Sequence, residues 1–151
     1  MKKLDTVDVF RGHCADLGIE IPIDDDVDPN GVLAEPVAIV DASAGRTTAP
    51  NRFAVLPMEG WDGTTDGRPT DLVRRRWQRF GASGAGLVWG EATAVRADGR
   101  ANPNQLIIDE HTVDDLAELR RMLDPSQVSG LQLTHSGRWS RPDGTPRPRT
   151  A

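Results

Sequence analysis

The chain has 151 residues, with 18 Lys and Arg against 23 Asp and Glu, a formal net charge of -5 and 37% hydrophobic residues. That length suits one domain with a core of its own, and the acidic balance argues against general binding to nucleic acid or anionic membranes. A single Cys excludes an internal disulfide and any Cys-cluster metal site, and there is no Tyr.

From the N-terminus, Leu4, Val7, Phe10 and Leu17 are spaced for a short amphipathic helix that Gly18 stops. Asp5 and Asp8 interrupt any apolar run there, so the segment does not read as a secretory signal. No stretch reaches the roughly 18 apolar residues of a membrane helix. A lone thiol and no leader fit a cytoplasmic location. The acidic IPIDDDVDPNG reads as a solvated loop. PVAIV and RFAVLPM read as two strands, the second ending at Pro57, with the turn-like DASAGRTTAPN between them. GWDGTTDGRP is a glycine-rich loop.

TDLVRRRWQRF then reads as a helix, opened by Pro69 and Thr70, with Val73, Trp77 and Phe80 on one face. GASGAG ends it, and LVWGEATAV reads as a buried strand. After the loop RADGRANPN, HTVDDLAELRRML is a second helix with Leu116, Leu119 and Leu123 on one face. Thr112 is its expected cap, with Asp115 completing something close to a capping box. GLQLTHSG is the third strand after residue 50, and a polar, Pro-rich end follows. The order β-α-β-α-β predicts an α/β fold with a parallel sheet or barrel. A barrel of this kind needs eight strands and about 250 residues, so the pattern fits a small open sheet or the first part of something larger.

Most candidate chemistry has a plainer reading. DVDPNG matches the first half of a calcium loop, but the twelfth position is Val37 rather than Glu, so an acidic turn is preferred. Arg74, Arg75, Arg76 and Arg79 read as a solvated helix face. His13, His111 and His135 lack metal-ligand spacing, and Ser136 and Ser140 lack a nucleophile-elbow context. No P-loop or dinucleotide fingerprint is present. What stands out is positional: PMEGWDG, GEAT and QLTHSGR place polar or small residues at strand ends, where parallel α/β folds bind ligands. Glu91 and Gln132 need hydrogen-bond partners there, from a bound ligand or from an internal polar network.

The motifs NRFAVLPM (Asn51 to Met58), Glu91-Ala92-Thr93 and QLTHSGR (Gln132 to Arg138) together resemble the opening of the Old Yellow Enzyme family of NADH:flavin oxidoreductases, FMN-dependent ene-reductases. The text DGRPTD and GRANPNQL also resembles related sequences. The resemblance covers roughly residues 36–151. It implies the N-terminal portion, about three β/α units, of a TIM (β/α)8 barrel with FMN at the carboxyl ends of its strands. Residues 1–35 are then an N-terminal extension of helix and acidic loop, and 36–151 the barrel portion, truncated after its third strand. By the same resemblance Pro57, Met58, Glu59, Ala92 and Gln132 contact the cofactor, and Trp61 contacts substrate.

Glu59 departs from the Thr or Cys usual at its position, and a charged carboxylate there would disfavour an anionic reduced flavin. The family passes hydride from NAD(P)H through FMN to an activated C=C bond. Its carbonyl-binding pair, its acid and its phosphate-holding residues lie on later strands, so no catalytic residue is assigned in this chain. His135 is expected to be structural. The parent enzyme would act on a small-molecule substrate, an activated alkene or a relative such as a dienoyl thioester or N-methyl amine, without nucleic acid or membrane partners. The 151-residue chain alone is expected to be an incomplete, inactive fragment with an unpaired strand edge prone to self-association. Two alternatives stand beside this: a non-catalytic α/β flavin-binding module, and a subunit completed by a partner chain.

Overall fold

The computed structural model describes residues 3–41 and 45–148. They fall into two compact units, Met1–Gly31 and Val32–Ala151. In the first, α1 (Val7–Asp16) begins where Thr6 Oγ1 accepts from Val9 N at 3.2 Å, which satisfies one of the orphan donors of the first turn. Gly18, with φ 67, takes the left-handed conformation that ends the helix. Arg11 draws the acidic segment back onto α1, donating to Asp25 at 2.6 Å and to the Ile23 carbonyl at 2.9 Å. That guanidinium holds the Asp25 carboxyl below its ordinary range. Within DVDPNG, Asp28 accepts from Asn30 N at 2.9 Å through its side chain and from Gly31 N at 3.1 Å through its carbonyl, closing a turn.

The second unit opens with a hairpin. β1 (Val37–Asp41) pairs antiparallel with β2 (Gly45–Ala49), Val37 opposite Ala49 and Asp41 opposite Gly45. The sequence expectation of a turn over DASAGRTTAPN is corrected here: GRTTA is strand, because Thr47 and Thr48 suit extended backbone once β1 supplies a ladder. Residues 42–44 of that expected turn lie outside the described residues. The strand expected over RFAVLPM is reduced to β3 (Ala54–Val55).

β3, β4 (Leu87–Ala94) and β5 (Val128–Thr134) form a three-stranded parallel sheet in the order β3-β4-β5. The crossovers carry α2 (Asp71–Gly81) and α3 (Val113–Arg121). Val73 and Trp77 of α2, Leu116 and Leu119 of α3, Val88 of β4, and Leu106 and Leu123 form the buried core. Each such side chain contributes about 1.5–3 kcal/mol by leaving water. Gly90 lets Trp77 reach the sheet, since a Cβ at 90 would lie 2.6 Å from the indole. The β4–β5 register shifts between Trp89 and Ala92 at this point. The sheet is open; the described strands do not close a barrel.

Two further expectations change. Thr112 does not cap α3 with its side chain. Its hydroxyl donates to the Ile107 carbonyl at 2.7 Å, and Asp109 Oδ1 accepts from His111 N and Thr112 N instead. Asp115 pairs with Arg68 and Arg74 rather than closing a capping box. The arginine run is not a uniformly solvated face: Arg74 bridges to Glu118 at 2.7 Å, and Arg76 is drawn into a buried network.

Candidate functional site

The carboxyl ends of the three parallel strands gather most of the residues singled out in the sequence. β4 and β5 place Ala92 directly beside Gln132 in register. Gln132 is exposed, and its side chain makes no hydrogen bond to another described residue. Pro57, Met58 and Glu59 follow β3 on the same rim, with Met58 80% exposed. Trp61 is 66% exposed and holds a left-handed backbone, φ 57.

Glu59 and Glu91 behave differently. Glu59 is half-buried and accepts a hydrogen bond from the Asn102 amide. Burial, and then the nearby Glu91 charge, push its carboxyl above the ordinary glutamate range, against the opposing effect of Asn102. Glu91 is 4% exposed and fully engaged within the protein. Its Oε1 accepts from Trp77 Nε1 at 3.1 Å, and its two oxygens accept from Arg76 Nη2 at 3.0 and 3.1 Å. Arg76 also meets Asp62 through two bonds, at 2.6 and 2.9 Å. For Glu91, then, the partner is an internal network rather than a ligand. Gln132 keeps an unengaged amide with both a donor and an acceptor.

Sequence reasoning assigned no role to the residues that hold this rim. Gln105, 2% exposed, accepts from Ala101 N at 2.8 Å and donates to Thr134 Oγ1 at 2.9 Å and the Ala92 carbonyl at 3.3 Å. It thereby ties the ends of β4 and β5 to the loop between β4 and α3. Arg100 is buried, has no acidic hydrogen-bond partner among the described residues, and donates to the carbonyls of Ala97, Thr65, Pro103 and Pro142. Burial lowers its pKa. Asn51 is a clip rather than a ligand-facing group: it accepts from Gly86 N at 2.8 Å and Phe53 N at 3.0 Å and donates to Gly84 O at 2.8 Å. The only signal for Gln105 and Asn102 was their place in GRANPNQL. His135 Nδ1 accepts from Gly137 N at 3.1 Å, and its ring lies against Gly99, a structural placement.

A groove of about 350 Å³ lies away from this rim, lined by residues that include Trp77, Ile108, Leu116, Arg120, Leu131 and Leu133. It is apolar and carries none of the polar strand-end groups, so the rim is the better candidate for chemistry. Among the described residues no group of three or more His, Cys, Asp or Glu is placed to hold a metal, and no helix is long and apolar enough to cross a membrane.

No protein-family model matches the chain. It is 37% identical over 101 residues to an NADPH dehydrogenase of Geobacillus sp. (strain WCH70), covering 64% of this chain and 29% of that protein. In fold it is similar to the Old Yellow Enzyme homologue from Zymomonas mobilis, with a TM-score of 0.60, 24% identity, and coverage of 72% of this chain and 29% of that one. It is also similar to morphinone reductase, with a TM-score of 0.62, 24% identity, and coverage of 77% of this chain and 30% of that one. The chain therefore resembles Old Yellow Enzyme homologues over about three quarters of its own length, and spans under a third of theirs.

Proposed function

We propose that this chain is the N-terminal portion, about three β/α units, of the (β/α)8 barrel of an FMN-dependent oxidoreductase of the Old Yellow Enzyme type, with residues 1–35 as an extension. The observation that carries the reading is the pairing of Ala92 with Gln132 at the carboxyl ends of adjacent parallel strands, with the Gln132 amide making no hydrogen bond among the described residues. A flavin's pyrimidine edge offers alternating N–H and C=O groups, and one amide can meet a donor and an acceptor together.

The residues present fit the ring portion of FMN. Gln132 would hold the polar edge, with the backbone at Ala92 beside it, and Pro57, Met58 and Glu59 would line the same edge from β3. Burial and the nearby Glu91 charge raise the Glu59 carboxyl, which lessens the negative charge it brings beside a reduced ring. When bound, FMN supplies hydride transfer between a nicotinamide and an activated alkene. This chain's residues would bind and orient the ring, and exposed Trp61 would form an apolar wall for the substrate. In such a barrel the residues that hold the phosphate and polarise the substrate would lie on later strands, so the part assigned to this chain's residues is to bind and orient the ring. A second reading, a subunit completed by a partner chain, draws on β5, which pairs with β4 only among the described strands.

The test is a titration of the purified chain with FMN, followed by the visible flavin spectrum and a thermal melt. Weak binding through the ring alone is expected, seen at high protein concentration as a perturbed spectrum and a raised melting temperature, and Gln132→Ala should weaken it about tenfold, the effect of roughly 1.4 kcal/mol of hydrogen bonding. A spectrum identical to free FMN at saturating protein overturns the proposed ring site.

A further inference from the structure

Trp61 presents a puzzle of placement. Its left-handed backbone, φ 57, costs an L-residue about 1–2 kcal/mol. Its side chain is 66% exposed, so its own packing does not repay that cost. The residues on either side, by contrast, are pinned. Asp62 accepts both terminal nitrogens of Arg76, and the Asp62 carbonyl accepts from Thr70 Oγ1 at 2.6 Å. Gly63 N donates to the Asn104 carbonyl at 2.9 Å. Gly60 lies directly against the guanidinium: a Cβ there would sit 2.3 Å from Arg76 Nη2. Arg76 is anchored in turn on buried Glu91 of β4, which Trp77 also holds.

We propose that Arg76 is a positioning residue which, through Asp62, fixes the loop Glu59–Gly63 so that Trp61 stands as a rigid wall of the ligand site. The proposal rests on the reading of the strand-end rim as the ligand face. Two physical points support a positional role. A partly buried ion pair adds little net stability over apolar residues of the same volume, and here it ties Asp62 of the loop to Glu91 of β4. The planar guanidinium takes Asp62 through two bonds while it meets Glu91, a fixed fork that the point charge of a lysine does not supply. A fixed indole also discriminates between substrates by shape without losing freedom on binding.

The experiment uses the full chain labelled with 5-fluorotryptophan. Its four tryptophans give four fluorine resonances, and Trp61→Phe identifies the relevant one. Asp62→Asn and Arg76→Lys are expected to move the Trp61 line toward its position in denaturant and to broaden it. The Trp139 line should stay in place, and Arg75→Gln, on an exposed neighbour outside the network, should move none. If Arg76→Lys does not fold, Asp62→Asn decides alone, because Arg76 then keeps Glu91. A Trp61 line unmoved by Asp62→Asn overturns the proposal. So does a wild-type line already at its denatured position, or loss of the cooperative melt in Asp62→Asn, which would make the network a support of the core. The flavin reading is judged separately by adding FMN to the wild type. No movement of any line counts against FMN and leaves the positioning result standing.

Discussion

Glu59 combines a polar partner with a carboxyl that burial holds above the ordinary value of 4.5. The folded state therefore keeps a proton that the unfolded chain has lost, over the window that opens above that value. Stability contributed by the protonated group is present in acid and falls as pH rises through the window. Glu59→Gln keeps an oxygen for the Asn102 amide and removes the titration. Melting curves should show the variant above the wild type near pH 7 and level with it near pH 4. An equal difference at both values would mean that packing, not ionisation, sets the effect. Arg76 carries the opposite risk. Arg76→Met leaves Glu91, 4% exposed, without its cation and should cost about 3–5 kcal/mol. Adding Glu91→Gln to that variant should recover much of the loss, which denaturant titration of the two singles and the double will measure.

At the scale of elements, α2 and β4 carry the frame of the rim. Thr70 opens α2 and bonds the Asp62 carbonyl, so Thr70→Ala should cost about 1 kcal/mol by chemical denaturation. Gly90→Ala would press a methyl onto Trp77 at 2.6 Å and the Gly130 carbonyl at 3.1 Å, and should cost about 1–3 kcal/mol. α2 was legible in the sequence because Val73, Trp77 and Phe80 repeat at helical spacing behind Thr70, and β4 because its apolar run is too short for a helix. β2 was not: Gly45 and the polar Arg46, Thr47 and Thr48 after it look like a turn until a neighbouring strand supplies a ladder. The cap of α3 was misread for a tertiary reason. The Ala94–Ile107 bridge brings the Ile107 carbonyl to Thr112, which spends its hydroxyl there. The same limit hid the Arg76 network. Nothing local to RRR says that Asp62 and Glu91, 14 and 15 positions away, converge on its third member. The polar strand ends were visible as text, but their division into an engaged Glu91 and an unengaged Gln132 depends on which face each residue meets.

At the scale of the molecule, the sheet has an exposed flank. β5 pairs with β4 only, among the described strands, and Leu133 is 61% exposed beside the 350 Å³ groove that Ile108, Leu116 and Leu131 line. The chain spans under a third of the length of the relatives it matches. An open parallel edge offers unpaired backbone groups to any strand that meets it, and each leucine-sized side chain buried in the groove gains about 1.5–3 kcal/mol. The 16.4 kDa chain is therefore expected to self-associate when purified alone, with a light-scattering mass that rises with concentration. Leu133→Lys places a charge on the groove without touching the core, and should return the mass toward the monomer while leaving the melting temperature within a few degrees. A monomeric wild type at every concentration would show that the edge is shielded, and would favour the reading of a self-contained binding module over that of a barrel awaiting its remaining strands. A mass lowered by Leu133→Lys, together with a flavin spectrum kept intact, would assign the association to the outer face of β5 and leave the strand-end rim free for its ligand.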